Sequence, residues 1–417
     1  MRVSGPHAGY GADADPPADH QDCLPSIFPR TMGKNCMAYL QEVVERGLAS
    51  NMIARFEQAF AEEMGVRHCI ATPGCTPALA VLAAAFEFEP GDEIIVSSVT
   101  DYGTVQGLIG ERYIPVFADT APGSINISAE TIERVITDRT RAVLVVHLTG
   151  LMCDMDPILE LAERYHLIVY EDACQALFSD YHSRLAGTLG LAAGFSFDSE
   201  KTLGSDVGGC VITDEDDLAE RIRFIGQHRG GEMRTGFGRI HTSHGYAHRM
   251  TQSTAAITLA QLENIRPQIA HRDAMARLIT GKLRAIPGIK PLQIPDYQTT
   301  YSCWMVGFNI DADVFRCDTE TFGRQLSEAG IPGIGTGKYY LMPAAVTYLQ
   351  SRARDHIYPY SMPPASHTYE YSAESCPNAG NFLETFLRWS TFCDKYERSH
   401  CDLVAKIVAS VAERNRI

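Results

Sequence analysis

Basic residues are scarce in this chain of 417 amino acids. It has 36 Lys and Arg against 51 Asp and Glu, which gives a net charge of −15 at pH 7. A protein that binds nucleic acid by neutralising phosphates carries the opposite sign and a basic stripe, and no such stripe occurs in this sequence. There is also no polybasic run that would hold an anionic membrane surface. The composition therefore predicts neither a nucleic-acid partner nor a membrane partner.

Long apolar runs are missing as well. Apolar stretches such as 142–148 and 190–197 are the size of a strand, whereas a transmembrane helix needs about 18–20 consecutive apolar residues. The N-terminus lacks the basic segment followed by an apolar segment that marks a secretory signal. We therefore expect a cytoplasmic protein.

The twelve cysteines contain no Cys-x-x-Cys pair. Disulfide frameworks belong mainly to small secreted domains, so we expect reduced and mostly buried thiols. A structural zinc site needs clustered cysteine and histidine ligands, and the fourteen histidines do not supply them at the usual spacing. We expect no metal.

From residue 69 onward the sequence alternates between strand-like and helix-like segments. Seven segments have the strand pattern, namely 69–72, 92–98, 114–118, 142–148, 167–171, 193–197 and 209–213. Amphipathic segments at 77–86, 129–136 and 157–165 lie between them. Short apolar strands separated by such helices predict an α/β fold with a mostly parallel seven-stranded sheet covered on both faces. Ligands of such sheets bind at the carboxyl ends of the strands.

The chain divides into three predicted regions. Residues 1–22 are rich in Gly, Pro, Ala, Asp and His, which predicts a disordered N-terminal tail. Residues 23–265 would contain N-terminal helices and the large domain with its sheet. Residues 266–417 show fewer consecutive strand–helix units and predict a smaller α+β C-terminal domain.

Four groups of polar residues lie at the ends of predicted strands. The turn 73–76 leads into a helix, where free N–H groups and the helix dipole suit a phosphate, although Thr76 could simply cap that helix. Asp172 follows the strand 167–171 and either caps the next helix or faces a cation supplied by a ligand. Ser196 is either a small core residue or a phosphate donor. Lys201 is either a surface charge or an amine that forms a Schiff base.

In combination these groups suit pyridoxal 5′-phosphate (PLP). This cofactor needs a lysine for its aldehyde, an anion against its pyridinium nitrogen, and a helix N-terminus with hydroxyls for its phosphate. The Gly-rich segment 204–209 could be mistaken for a dinucleotide loop. It follows a late strand and lacks the Gly-x-Gly-x-x-Gly spacing, which argues against a nucleotide-dependent dehydrogenase.

Five motifs follow one another within residues 55–229. They are Cys-Thr-Pro-Ala-Leu at 75–79, Pro-Gly-Asp-Glu-Ile-Ile-Val at 90–96, Val-His-Leu-Thr-Gly at 146–150 with Asp-Met-Asp at 154–156, Glu-Asp-Ala-Cys-Gln at 171–175, and Phe-Ser-Phe with the later Lys at 195–201. In this order they resemble the DegT/DnrJ-type sugar aminotransferase family of fold-type I PLP enzymes. The resemblance implies an aspartate-aminotransferase-like large domain, and it extends more weakly to about residue 400.

The resemblance also implies roles for individual residues. Lys201 and Asp172 would be the catalytic residues, with Lys201 forming the Schiff base and Asp172 binding the pyridinium nitrogen. Gln175 would lie beside the phenolic oxygen of the cofactor. Ser196 and Thr76 would bind its phosphate.

Two cofactor-binding positions depart from the family pattern. Cys75 stands where the phosphate turn of the family usually has Gly. Asp101 stands where the family commonly has an aromatic residue that stacks on the cofactor ring. Either Asp101 covers the ring without stacking, or Tyr102 turns in to do so.

The loop 245–249 is a third departure. In the family an Asn of this loop reaches the cofactor phosphate of the neighbouring subunit, and Ala247 cannot make that hydrogen bond. Arg249 or His248 could compensate. The segment 229–248 is rich in Arg and His, so it would either hold a sugar phosphate or nucleotide diphosphate, or form a solvated loop that faces the partner subunit.

The function implied by the resemblance is amino transfer in a homodimer. The amino group would move from L-glutamate or L-glutamine to a keto sugar or keto-cyclitol, in amino-sugar or antibiotic biosynthesis. One alternative is a PLP-type sugar dehydratase, although those enzymes have His at the position of Lys201. Another is a non-catalytic family member that acts as a regulator.

Overall fold

The computed structural model describes residues 24–229, 233–236, 238–337, 340–361, 363–365 and 367–417. The tail predicted over 1–22 lies outside these residues. In the described chain the helices are α1 (Cys36–Glu45), α2 (Met52–Met64), α3 (Cys75–Phe86), α4 (Tyr102–Gly110), α5 (Ala129–Glu133), α6 (Met155–Tyr165), α7 (Asp216–Gln227), α8 (Gln252–Leu262), α9 (Ile265–Arg284), α10 (Thr319–Glu328), α11 (Met342–Ala345), α12 (Thr347–Arg354), α13 (Pro377–Glu384) and α14 (Arg398–Asn415). The strands are β1 (His68–Thr72), β2 (Glu93–Ser97), β3 (Val99–Thr100), β4 (Ile114–Ala118), β5 (Thr140–Val146), β6 (Ile168–Asp172), β7 (Asp180–Tyr181), β8 (Arg184–Leu185), β9 (Ala192–Ser196), β10 (Gly209–Thr213), β11 (Met233–Arg234), β12 (Gly238–Arg239), β13 (Ile289–Pro291), β14 (Val306–Ile310), β15 (Ile334–Gly335), β16 (Tyr340–Leu341) and β17 (Phe386–Trp389).

The main sheet has seven strands in the order β1-β10-β9-β6-β5-β2-β4. Strands β9, β6, β5, β2 and β4 pair in parallel, whereas β10 runs antiparallel to both of its neighbours. The seven strands are those predicted from the sequence, with ends that differ by at most two residues. The mostly parallel α/β fold is therefore confirmed.

Both faces of this sheet are covered by apolar side chains. On one face the ring of Phe60 from α2 meets Phe195 and Phe197 edge-on at centroid distances of 5.3 and 5.4 Å. Ile95 of β2 belongs to this core, while Leu79 of α3 belongs to the core on the opposite face. Burial on both faces explains why the strands are almost continuously apolar.

A second sheet of four antiparallel strands has the order β13-β14-β17-β15. Phe308 and Trp389 of this sheet share a core with Val404 of α14. Met342 and Tyr371, which lie within the predicted C-terminal domain 266–417, pack instead in the core over the large sheet. The domain boundaries after residues 22 and 265 stay predictions. No helix in the described parts of the chain is both long enough and apolar enough to cross a membrane.

Helix α4 is absent from the sequence prediction. It contains three glycines, which disfavour helices by about 1 kcal/mol each relative to alanine. Gly107 packs so closely on α3 that a Cβ there would lie 2.5 Å from the Cα of Ala80. Tertiary contact with α3 therefore sustains α4, and it carries Thr104 to the edge of the sheet.

Candidate active site

A cavity of about 500 Å³ opens at the carboxyl edge of the seven-stranded sheet. Its walls come from the segments that follow β1, β3, β6 and β9, together with residues near β14 and β16. The site residues predicted from the sequence all line it, namely Cys75, Thr76, Asp101, Asp172, Gln175, Ser196 and Lys201. Its volume falls in the range of about 300–1,000 Å³ that is usual for ligand pockets.

Asp172 is the last residue of β6 and is 6% exposed. Its Oδ2 accepts a hydrogen bond from the Thr104 hydroxyl at 2.8 Å, and its Oδ1 accepts one from the Cys174 N–H at 3.1 Å. Burial raises the pKa of Asp172, while these hydrogen bonds and the charge of Lys201 oppose the rise without cancelling it. A desolvated carboxyl group of this kind gains most from a cationic ligand group.

Lys201 lies in the loop after β9 and faces the same cavity. Its Nζ is 3.8 Å from the centroid of the Trp304 ring. Burial lowers the pKa of Lys201, and nearby acids, with Asp172 first among them, oppose that change. A lowered pKa increases the fraction of neutral amine, which is the form that attacks an aldehyde.

The loop that carries Lys201 is held by an N-terminal residue. The guanidinium of Arg30 donates to the carbonyls of Ser199 at 3.0 Å and Thr202 at 2.9 Å. Burial lowers the pKa of Arg30. These two bonds fix the backbone on both sides of Lys201, and no local sequence pattern predicts them because Arg30 is about 170 residues away.

The turn 73–76 can hold an anion. The N-cap residue of α3 is Gly74, and no side chain of the described residues caps this helix. Thr76 therefore does not cap α3, and the N–H groups and positive dipole end of the first turn face the cavity. A Cβ on Gly209 would lie 2.4 Å from the carbonyl carbon of Gly74, so the turn rests directly on the backbone of β10. Ser196 lies at the end of β9 and lines the same cavity.

Of the two alternatives for the residue beside the ring, the structure brings Asp101 into the cavity and not Tyr102. Asp101 caps α4 by accepting the N–H of Gly103 at 2.8 Å. Among the described residues, the aromatic side chains that line the cavity are those of Trp304 and Tyr340. Neither was predicted as a site residue, because both come from regions distant in sequence from the five motifs.

Gln175 presents its side chain to the same cavity. Its Oε1 accepts the N–H of Thr149 at 2.7 Å. This bond fixes the side chain at the end of β6, three residues beyond Asp172. The structure thus brings Gln175 together with the acid and the lysine.

The expectation that all cysteines are reduced is wrong at this site. Cys75 and Cys174 form a disulfide with a Cα–Cα distance of 6.6 Å. The other cysteines in the described residues are free, and most of them are buried. Composition could not reveal the bridge, because it depends on the sheet bringing the ends of β1 and β6 to one edge.

The loop 245–249 lies elsewhere. None of the described residues of 229–249 lines the cavity. Tyr246 stacks on His248 with centroids 4.9 Å apart, and its hydroxyl donates to Glu111. Burial lowers the pKa of His248. Compensation for Ala247 by Arg249 or His248 in a neighbouring subunit therefore stays a prediction.

These residues fit PLP. Asp172 provides a buried anion without a full set of partners, α3 provides an uncapped N-terminus, and Lys201 provides an amine with a lowered pKa. PLP needs these three groups for its ring nitrogen, its phosphate and its aldehyde. The fold and the site together define the class of PLP-binding proteins of fold type I.

The family follows from comparison with known proteins. The DegT/DnrJ/EryC1/StrS aminotransferase family matches residues 30–384, and the chain belongs to this family. A GDP-perosamine synthase from Caulobacter vibrioides is 40% identical over 232 residues, which cover 55% of this chain and 62% of that protein. The spore coat polysaccharide biosynthesis protein SpsC of Bacillus subtilis is 34% identical over 64% of this chain and 70% of its own length.

Solved structures show the same fold. The 3-amino-5-hydroxybenzoic acid synthase has a TM-score of 0.81 at 22% identity, and the match covers 94% of this chain and all of that one. The protein Spr1654 of Streptococcus pneumoniae in its PLP form has a TM-score of 0.80 at 17% identity, covering 94% of this chain and 99% of that one. The aminotransferase family that the chain belongs to uses pyridoxal phosphate, which confirms the cofactor predicted from the sequence.

Proposed function

We propose that the protein transfers an amino group from L-glutamate or L-glutamine to a keto sugar or keto-cyclitol. The acceptor class rests on the similarity to sugar-modifying relatives such as the GDP-perosamine synthase. The observation that carries the chemistry is the shared cavity of Lys201 and Asp172, beside the uncapped start of α3.

Each residue has a separate task in this proposal. When bound, PLP supplies an electron sink that stabilises negative charge on the Cα of the amino donor. Asp172 holds the proton of the ring nitrogen in place, and Thr104 orients that carboxylate. Lys201 would hold the cofactor through its Nζ, and it would act at the Cα of the amino donor as the base that removes a proton and then as the acid that returns one.

The remaining side chains bind and orient. The first turn of α3, with Thr76 and Ser196, binds the phosphate. Gln175, fixed by the Thr149 N–H, lies beside the phenolic oxygen. Trp304 covers the Lys201 amine and restricts the access of water to it. Asp101 lines the cavity where the ring would lie.

The decisive experiment compares Lys201→Ala with Lys290→Ala. Lys290 lies on β13, its side chain is 66% exposed and it pairs with Asp311, so it serves as a matched control. Borohydride reduction of the PLP-loaded protein followed by peptide mass mapping should label Lys201 in the wild type and in Lys290→Ala. Lys201→Ala should show neither the label nor the visible absorption of lysine-bound PLP. A label on another lysine would overturn the assignment.

The acceptor is tested separately. The loaded protein is mixed with L-glutamate or L-glutamine and with free and nucleotide-linked keto sugars and a keto-cyclitol, and the products are read by mass spectrometry. We expect a product in which an amine replaces a carbonyl oxygen. Loss of water without gain of nitrogen would identify the dehydratase alternative, and no product with any acceptor would favour the non-catalytic one.

The proposal includes a homodimer. Helix α1 and the turn after it expose Met37 at 76%, Val44 at 75% and Leu48 at 73%, an apolar patch that a second copy of the chain could cover. Light scattering should report a dimer for the wild type and a monomer for the double variant Met37→Glu with Val44→Glu. Ile417→Glu, which changes an exposed residue at the other end of the chain, should leave the dimer intact. A wild-type monomer would refute this part.

The cytoplasmic location and a role in antibiotic biosynthesis stay predictions. Whether the segment 229–248 contacts a nucleotide diphosphate is also a prediction. Competition of nucleoside diphosphates with the acceptor would test it.

A further inference from the structure

The disulfide between Cys75 and Cys174 occupies the wall of the cofactor cavity. Cys75 is the first residue of α3, in the turn that would hold the phosphate, and Cys174 follows Asp172 by two residues. Both residues are half-buried and line the cavity, whereas the nine free cysteines of the described chain lie outside it. A small molecule that enters the cavity therefore meets this pair and no other described cysteine.

The sulfur atoms also lie against the acid. The Sγ of Cys75 is 3.9 Å from Oδ1 of Asp172, and Cys174 donates its N–H to the same oxygen. The other oxygen, Oδ2, accepts the Thr104 hydroxyl. A ring N–H must come within about 2.7–3.2 Å of the carboxylate to bond it. The bridge therefore places a sulfur atom beside one of the two oxygens that a ring nitrogen can approach.

The bridge also restrains the distance between the phosphate turn and Asp172. It ties the phosphate turn at the start of α3 to the end of β6, which are 99 residues apart in sequence. Without it, the turn and the acid can adjust their separation to the length of the cofactor. With it, both ends of the site are joined by a covalent link.

We propose that Cys75 and Cys174 form a reversible redox site that controls entry of the cofactor. As a disulfide the pair weakens PLP binding, and as two thiols it admits PLP. The inference rests on the proposed function only in that PLP occupies this cavity.

The chemistry is thiol–disulfide exchange with a small-molecule disulfide. The thiolate of one cysteine attacks a sulfur of that molecule, forms a mixed disulfide and releases one thiol. The thiolate of the second cysteine then attacks the protein sulfur and releases the second thiol. The two protein thiols lose two electrons and two protons, and the small-molecule disulfide gains them. Excess dithiol reverses both steps.

The test uses the full chain freed of PLP and prepared in two forms, with dithiothreitol or with oxidised glutathione. Alkylation and peptide mapping identify the linked Cys75–Cys174 peptide in the oxidised form. PLP is then titrated while tryptophan fluorescence is recorded, because Trp304 lies beside Lys201. We expect the reduced form to bind PLP about tenfold or more tightly than the oxidised form, a measurable shift of the dissociation constant.

Variants test whether the difference in PLP affinity comes from Cys75 and Cys174 or from other thiols. Cys174→Ala and Cys75→Ser should each bind PLP with the same affinity in both preparations, whatever that affinity is. Cys317→Ser, a half-buried free cysteine outside the cavity, should keep the difference.

Three results would overturn the inference. They are equal affinity of the two wild-type forms, tighter binding by the oxidised form, and absence of the linked peptide after oxidation. If neither form binds PLP although the linked peptide is present, the proposed function fails and the redox control of cofactor entry fails with it.

Discussion

Two neighbouring carboxylates end strand β6 and face opposite sides of the sheet. Glu171 and Asp172 are both buried, at 0% and 6% exposure. Successive side chains of a strand alternate between its faces, so one acid turns into the protein and the other into the cofactor cavity. Their surroundings differ, and so do the directions in which their pKa values move.

The protein supplies the buried carboxylate of Glu171 with hydrogen-bond donors for both of its oxygens. Its oxygens accept the N–H groups of Gly187, Leu189 and Gly190 at 2.7–2.8 Å, and His147 Nε2 donates to it at 2.9 Å. His147 Nδ1 accepts the Cys153 N–H, which fixes its tautomer. Burial raises the pKa of Glu171, but His147 and the backbone donors outweigh it, and the pKa ends below its usual range.

Asp172 has fewer donors and keeps a raised pKa. Its two internal hydrogen bonds, from Thr104 and Cys174, do not offset the free-energy cost of removing the ionised carboxylate from water. The comparison indicates that the protein itself supplies all the hydrogen-bond donors of a structural acid. A ligand-binding acid, in contrast, lacks a donor that the ligand then provides. In formal charge the Glu171 and Asp172 carboxylates are equivalent, so only their surroundings distinguish them.

The largest effect, a loss of folding stability, should come from replacing Glu171. Glu171→Gln places an NH₂ group against backbone N–H donors in a buried pocket, so we expect a loss of about 3–5 kcal/mol in the free energy of unfolding. Urea denaturation measures it. The exposed Glu163→Gln on α6 should change that free energy by less than about 0.5 kcal/mol. A loss below about 1 kcal/mol for Glu171→Gln would mean that Glu171 is not the structural acid.

Asp172→Asn should reverse the pattern, with a small effect on stability and a large one on reactivity. The amide cannot stabilise a protonated ring nitrogen, so the rate at which amino donor bleaches the visible band should fall about 10²–10³-fold. Stopped-flow absorbance measures that rate. Unfolding of the variant without PLP is the control for folding. An unchanged rate would contradict the role of Asp172.

A smaller effect should follow from Thr104→Val, which removes the hydroxyl donor to Oδ2 while keeping the side-chain shape. Losing one hydrogen bond to a charged group costs about 1.5–3 kcal/mol at most, so PLP affinity should fall about tenfold. Fluorescence titration with PLP measures it. The exposed Thr347→Val serves as the control and should bind PLP as the wild type does. Equal affinities would show that Thr104 does not orient Asp172.

The smallest expected effect is the pH dependence of folding stability, and its sign differs between Asp172 and Glu171. Because the pKa of Asp172 is raised in the folded protein, stability without PLP should fall as pH rises from the ordinary Asp range through the raised value. The lowered pKa of Glu171 acts the other way, and its stabilisation is lost as pH falls below the ordinary Glu range.

Asp172→Asn isolates the first of these terms. The difference in unfolding free energy between variant and wild type should grow in favour of the variant as pH rises through that window. Urea titrations at a series of pH values measure it. A difference that is flat with pH would contradict a raised pKa.

The sequence by itself determined the strands, their order along the chain and the polar residues at their ends. These are local properties, since a buried strand is a short apolar run and its end is marked by the first polar residue, as at Asp172 and Ser196. The order of the motifs was also sufficient to indicate the family and its cofactor. The prediction missed α4, whose three glycines conceal a helix that only packing on α3 sustains.

Only the tertiary structure decided which partners each residue has. The bond from Thr104 to Asp172, the Trp304 ring over Lys201, the Arg30 contacts on both sides of that lysine and the bridge from Cys75 to Cys174 all join segments that are far apart in sequence. Such contacts depend on strand order and helix packing, which no local pattern encodes. For the same reason two adjacent acids could be told apart only after folding had given one of them four donors and left the other facing an open cavity.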